Sequence, residues 1–185
     1  MSIHGSFSGN PKTEWLVDST EPDRNMSLIS DFTFTDPAGQ PWRAPKGSVV
    51  NGASIPRPLW ALVGSPYTDD YRRASVVHDV ACNTPGVPRK EADVMFYHAC
   101  RAGGCGPLQA AILYAGVRIG AWASKSLTKK SMSRDALLYR FQRDASPEAI
   151  FMEGKLAEIA HEMEALSDEP TIAELDAAIK RHLKV

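Results

Sequence analysis

Hydrophobic and polar positions alternate with a period of two from residue 32, the pattern of a strand with one buried face. Phe32-Thr33-Phe34 is the clearest instance. Asp36-Pro37-Ala38-Gly39 follows and favours a turn, because proline presets φ and glycine accepts positive φ. Pro41-Trp42-Arg43 is predicted to return as the antiparallel partner, and Gly47-Ser48-Val49-Val50 is a third short extended segment. Residues 1–26 are predicted to be irregular.

The pattern becomes helical in the middle of the chain, where Thr68-Asp69-Asp70 is a helix start with a capping side chain and acidic residues, followed by a run without glycine or proline to Cys82. The predicted helices are Arg57–Val63, Thr68–Cys82, Arg89–Arg101 and Leu108 to about Lys125. The second and third are joined by a short connection, which favours an antiparallel pair. The sequence therefore predicts an α+β fold, with a short antiparallel hairpin or sheet followed by a helical core in a single domain at residues 27–125.

The last third of the chain is predicted to be a helical extension, residues 126–185. A basic, serine-rich connector precedes two amphipathic helices that begin near Pro147 and Thr171. Their apolar positions are Ile150, Leu156, Ile159, Met163, Leu166, Ile172, Leu175, Ile179 and Leu183. Two interpretations stay open: the helices pack on the domain or each other, or they form a docking arm for a partner or for self-association.

Composition excludes several classes of protein. The 185 residues are 43% hydrophobic and carry a net charge of −1, so no basic excess favours nucleic-acid binding. No stretch approaches the length of a transmembrane helix, and the first residues lack the charge and apolar run of a signal peptide. The three cysteines, an odd number, favour reduced thiols over a disulfide framework. A cytoplasmic or virion-associated protein is expected.

The concentrated chemical signal is His78-Asp79 on one predicted helix and Asp93 on the next. With a rise of about 1.5 Å per residue, His78 and Asp93 lie at matching height on antiparallel helices. A carboxylate there holds the imidazole in one tautomer and stabilises its charged form. We therefore expect His78 and Asp93 within hydrogen-bond distance as catalytic residues. Tyr97, four residues after Asp93, is expected to hydrogen-bond that carboxylate, whereas His98 does not share its face.

Asp79 points about 100° away from His78 on the helix and is free for another role. With oxygens from the glycine-containing loop Asn51-Gly52-Ala53-Ser54, it is a candidate ligand of a hard cation such as Ca²⁺. Small side chains allow the loop to approach closely. We expect Ser54 or backbone groups of this loop to bond to Asp79 or His78.

The region from Ser27 to Trp122 resembles a widespread phage and prophage family that is catalogued as a domain of unknown function. The matching motifs occur in the family's order: Pro45-Lys46-Gly47, Asn51-Gly52-Ala53-Ser54-Ile55-Pro56, Val76-Val77-His78-Asp79 and Arg89 to Phe96. The departure is Asn51, where the family pattern has aspartate. This removes one formal charge from a metal-binding loop. The resemblance implies a phage-type origin and no particular function.

The order of the motifs is also similar to that of the secreted phospholipase A2 superfamily, without its disulfides. That resemblance implies that His78 activates water, that Asp79 binds calcium with the upstream Asn51 and Gly52, and that Asp93 orients His78.

Two classes of function follow. The first is a metal-assisted, calcium-type hydrolase acting on an ester such as a lipid, with a peptidase or cell-wall hydrolase as its nearest variant. The second is a non-catalytic phage structural or host-interaction protein in which the same residues support the fold. Asn51 favours the second class, and the ordered motifs favour the first.

Overall fold

The chain forms two compact units, one from residues 1–53 and 66–105, the other from residues 54–65 and 106–185. The computed structural model describes residues 3–17, 25–52, 55–63, 70–128 and 147–183. The predicted division at residue 126 differs from this one, because the long helix after Cys105 and the segment 54–65 both belong to the second unit. The α+β class is confirmed.

The first unit carries two three-stranded antiparallel sheets. Their strands are β1 Ser6–Phe7, β2 Thr13–Trp15, β3 Met26–Leu28, β4 Phe32–Thr35, β5 Pro41–Ala44 and β6 Val49–Val50. One sheet has the order β1-β4-β5 and the other the order β2-β3-β6. In the predicted hairpin, Phe32 pairs with Ala44 and Phe34 with Trp42. The alternation along β4 buries Phe32 and Phe34, as its pattern predicts.

The first residues of the chain are not irregular as predicted, because β1 and β2 lie there. β1 pairs with β4, and β2 pairs with β3. All three residues of β2 are exposed, so this strand has no alternation of polarity that a sequence pattern could reveal. The third extended segment, β6, pairs with β3 rather than with the hairpin.

Two helices complete the first unit: α2 Arg72–Asn83 and α3 Arg89–Gly103. The predicted start of α2 at Thr68-Asp69 lies outside the described residues. The helix begins after Tyr71, whose side chain makes no capping bond. α3 ends at Gly104, whose φ of 116° is left-handed.

The second unit is helical. It contains a 3₁₀ turn at Arg57–Leu59, then α1 Trp60–Val63, α4 Pro107–Thr128, α5 Pro147–Met163 and α6 Ile172–His182. α5 packs on α4 and on the 3₁₀ turn, and α6 packs on α5. Thr171 and Glu174 form a reciprocal capping box at the start of α6. Among the described residues, no helix is both long and apolar enough to span a membrane.

The C-terminal helices bury their apolar faces within this unit, the first of the two interpretations. Leu156, Ile159, Leu175 and Ile179 are buried. Ile150, expected on the same face of α5, is instead 62% exposed. The buried stripe passes through Ala149 and Met152 in steps of three and four, which turns position 150 outward. The connector at 129–146 lies outside the described residues.

Candidate functional site

A hydrogen bond joins α2 to α3 in the interior of the first unit. His78 Nε2 lies 2.9 Å from Asp93 Oδ1, and both side chains are completely buried. The predicted distance between the two residues is therefore confirmed. The Phe96 ring packs against the imidazole, with its centroid 4.7 Å from that of His78.

Arg89 adds a positive charge at the same carboxylate. Its Nε donates to Asp93 Oδ1 over 3.0 Å, and its side chain is 25% exposed. Arg89 and Asp93 are four residues apart on α3, so they lie on one face of the helix. The guanidinium therefore connects a buried anion to the surface.

Cys82 also contacts the imidazole. It follows His78 by one helical turn on α2, and its Sγ lies 3.4 Å from His78 Nε2 and 3.8 Å from Nδ1. Sγ of Cys82, a ring nitrogen of His78 and a carboxylate oxygen of Asp93 lie within 4.8 Å of one another. Cys82 is half-buried, unlike the other two residues.

The charge balance at this cluster favours a protonated imidazole. Burial of the ring acts to lower the pKa of His78, but the electrostatic interaction with Cys82 and the hydrogen bonds to Asp93 and Cys82 outweigh it. The net result is a pKa raised from 6.5 to about 9. The imidazolium is thus the main form of His78 near neutral pH.

Asp79 anchors the loop at Asn51 and Gly52. Its Oδ2 accepts the backbone N–H of Asn51 over 2.7 Å, and its Oδ1 accepts the Asn83 amide over 3.3 Å. Gly52, buried and with φ of 103°, turns the chain directly after this contact. The expected bond from a backbone group of this loop to Asp79 is confirmed, while Ser54 lies outside the described residues.

Residues 26–117 match the family described as "Protein of unknown function (DUF1353)". The chain contains a DUF1353 domain. The match runs from the start of β3 into α4 and includes His78, Cys82, Arg89 and Asp93.

Two curated proteins of Sinorhizobium fredii (strain NBRC 101917 / NGR234) are similar to this chain. The uncharacterized protein y4jT is 36% identical over 110 residues, which are 60% of this chain and 32% of that protein. The uncharacterized protein y4iH is 36% identical over 99 residues, 54% of this chain and 41% of that protein. The chain thus spans less than half the length of either relative. No solved structure matches it.

Tyr97 of the DUF1353 domain does not make the predicted hydrogen bond to Asp93. Its buried ring instead meets His4 and His98 edge-on, with centroids 6.2 Å and 5.4 Å away. The four-residue spacing places Tyr97 on the same side of α3 as Asp93, but the side chain extends toward the N-terminal segment. His98 lies with Tyr97 and His4, away from the His78 pair, as expected.

Two residues of the cluster were missed by the sequence reasoning, although helical spacing marks both. Cys82 stands four residues after His78, and Arg89 stands four residues before Asp93. The odd number of cysteines predicted reduced thiols in general and gave no particular role to Cys82. The DUF1353 domain thus brings the Cys82 thiol, the His78 imidazole, the Asp93 carboxylate and the Arg89 guanidinium into contact. Such a connected group is suited to proton transfer.

Proposed function

We propose that the chain is a hydrolase in which His78 moves the proton and Asp93 holds the imidazole. The observation that carries the proposal is the 2.9 Å hydrogen bond between these two buried side chains. A histidine that is fixed by a carboxylate is the usual base of hydrolytic sites, because the carboxylate selects one tautomer and stabilises the imidazolium that forms.

Arg89 supports the same reaction by its charge. Hydrolysis of an ester or amide passes through a tetrahedral intermediate with a negative oxygen. The guanidinium is partly exposed and already bonded to Asp93, so its outer N–H groups are suited to stabilise that oxygen. Asp93 would then position both the proton carrier and the stabilising cation.

Calcium does not fit the described residues around Asp79. A calcium ion takes six to eight oxygen ligands. Here the Asn51 N–H donates to Asp79 Oδ2, and the Asn83 amide donates to Oδ1. Hydrogen-bond donors therefore occupy both carboxylate oxygens to which a cation would need to bind. The predicted roles of Asp79, Asn51 and Gly52 as calcium ligands stay untested, and the proposal uses no step through calcium.

A metal-assisted reaction is the second candidate, and the convergence of His78, Cys82 and Asp93 favours it. Sulfur, imidazole nitrogen and carboxylate oxygen together suit Zn²⁺ better than Ca²⁺. These three residues would hold the ion, which would supply polarisation of a carbonyl or of water. Zinc analysis of the purified protein, before and after dialysis against a chelator, tests this candidate.

The proposed substrate class rests on a resemblance in motif order. A His-Asp pair followed by an aspartate on the next helix is similar to the arrangement of the phospholipase A2 superfamily and favours an ester, such as that of a lipid. A peptide or cell-wall amide requires the same proton transfer and is the nearest variant. A phage origin agrees with cell-envelope substrates of either kind.

The experiment compares His78→Gln and Asp93→Asn with a matched control, His98→Gln. The probes are p-nitrophenyl acetate, phosphatidylglycerol vesicles and purified peptidoglycan. We expect hydrolysis of one probe class by the native protein, at least a hundredfold loss in His78→Gln, and an unchanged rate in His98→Gln, because general acid–base catalysis contributes about 10²–10⁴-fold.

A structural role for the pair gives a different result. Both side chains are completely buried, as in a bond that simply holds two helices together. If no probe is hydrolysed and His78→Gln lowers the melting temperature more than His98→Gln does, the non-catalytic class of function replaces the hydrolase.

A further inference from the structure

The thiol of Cys82 is the part of the cluster that approaches the surface. His78 and Asp93 have no exposed side-chain area, whereas Cys82 is half-buried. Cys82 is the next-to-last residue of α2, and the turn that follows, residues 83–86, is exposed. A substrate from solution therefore meets the sulfur before it meets the imidazole.

The imidazole is within reach of that thiol. Sγ lies 3.4 Å from His78 Nε2, which donates to Asp93, and 3.8 Å from Nδ1, the ring nitrogen that can accept the thiol proton. The i, i+4 spacing on a regular helix fixes the two side chains on one face. A nucleophile beside a base, with the base oriented by a third group, is the recurring arrangement of covalent hydrolases. Asp93 is that third group, because its Oδ1 accepts the Nε2–H of His78 over 2.9 Å and thereby leaves Nδ1 as the basic nitrogen.

We propose that Cys82 is the nucleophile of this site and forms a thioester with the acyl group of the substrate. This inference rests on the proposed hydrolase, and it explains how a fully buried histidine takes part in a reaction on an external substrate. His78 acts on the thiol, which it contacts, and the thiol contacts the substrate.

The reaction is balanced in two steps. In the first, the neutral form of His78 takes the thiol proton, the sulfur bonds to the carbonyl carbon, and the leaving alcohol or amine departs with that proton. In the second, His78 takes a proton from water, the hydroxide bonds to the thioester carbon, and the C–S bond breaks. The sulfur recovers its proton from His78, and the products are an acid and the leaving group. No oxidant or reductant is involved.

The other two cysteines provide internal controls. Cys100 and Cys105 are almost completely buried, at 0% and 2% exposure. Burial raises the pKa of the Cys100 thiol well above its usual value, and the neighbouring Cys105 adds to the effect. Both should react slowly with any alkylating reagent in the folded protein, so a single peptide map compares three thiols.

Iodoacetamide labelling at neutral pH tests the activation of Cys82 without a known substrate. We expect Cys82 to be alkylated at least about tenfold faster than glutathione, although it is half-buried, because a base beside a thiol supplies the reactive thiolate. The rate should fall about tenfold in His78→Gln and should stay unchanged in His98→Gln. Asp93→Asn serves as a second variant if His78→Gln does not fold.

Acyl transfer gives the direct test. The native protein is mixed briefly with p-nitrophenyl acetate, quenched in acid and digested, and we expect an acetyl group on the Cys82 peptide. Cys82→Ala should lose that adduct and at least a hundredfold of the hydrolysis rate.

Other results overturn the inference in distinguishable ways. If Cys82→Ala hydrolyses a probe at the native rate, Cys82 is not the nucleophile and the proposed function stands. If Cys82 reacts no faster than glutathione, or if a chelator-removable zinc ion protects it, the cysteine is an inert thiol or a metal ligand. Fast alkylation with no turnover of any probe supports an activated thiol and removes the proposed hydrolase.

Discussion

At the residue scale, the buried His78–Asp93 pair links stability to pH. The pKa of His78 is about 9 in the folded chain and 6.5 for an unperturbed histidine. A raised pKa stabilises the protein fully below 6.5, and that contribution is lost as pH rises through 9. Because His78 is completely buried, the contribution is on the order of 3 kcal/mol at low pH.

We therefore expect urea unfolding of the chelator-treated protein to show a fall in stability between about pH 6 and about pH 10. Asp93→Asn removes the charge that helps to raise the His78 pKa, so it should destabilise the protein more at the lower pH and flatten the profile. Equal destabilisation at both pH values would contradict this account of the pair.

Asp79 is expected to contribute to stability through its bond to the Asn51 loop. Asp79→Ala leaves the Asn51 N–H without its 2.7 Å acceptor and should cost on the order of 1–3 kcal/mol. Asp79→Asn keeps an oxygen acceptor and should cost less. Thermal melts of both variants measure the difference. A neutral Asp79→Ala would show that this bond does not anchor the loop.

The candidate site was partly predictable, because helical rise and spacing are local properties. They predicted the matching height of His78 and Asp93, and the small side chains of the Asn51 loop predicted its approach to Asp79. Tyr97 shows the limit of this reasoning: spacing fixes the side of a helix but not the partner, and His4 comes from a segment some ninety residues earlier. Burial of the pair was also not readable, since it depends on the packing of the whole unit.

At the element scale, the end of α3 fits closely against the start of α2. A Cβ atom at Gly103 would lie 2.4 Å from the backbone oxygen of Asp70, a distance that requires the backbone to move. Gly103→Ala should therefore cost about 1–3 kcal/mol by overpacking. Gly106→Ala is the matched control, because no atom lies within 4 Å of the position that its added methyl group would take, and the cost should be below about 0.5 kcal/mol. Equal melting temperatures would refute the close fit.

Elements with a strong periodic pattern were predicted well, and short ones were not. The hairpin of β4 and β5 and the helices α3, α5 and α6 follow from alternation, turn residues and apolar spacing. β1 has two residues and β2 has three, too few for a period to appear. The pairing of β6 with β3 depends on contacts between segments more than twenty residues apart, which no local pattern encodes.

At the scale of the whole molecule, a substitution at Leu59 provides a test of how the second unit is assembled. It is completely buried in the 3₁₀ turn that packs on α5, about ninety residues later in the sequence. Leu59→Ala should cost about 2–5 kcal/mol. It should also speed hydrogen exchange in α5, whereas Leu108→Ala, at an exposed position, should do neither. Unchanged exchange in α5 would mean that this helix does not depend on the turn.

The second unit is formed by two separate stretches of the sequence, and this has a consequence for synthesis of the protein. Residues 54–65 leave the ribosome between two parts of the first unit, but their packing partners are in residues 106–183. At about 5–20 residues per second, the apolar face of the turn waits roughly ten seconds for α5 and α6 to emerge. During that interval the nascent chain presents Leu59 and Trp60 to solvent, which makes this segment the expected binding site for a ribosome-associated chaperone.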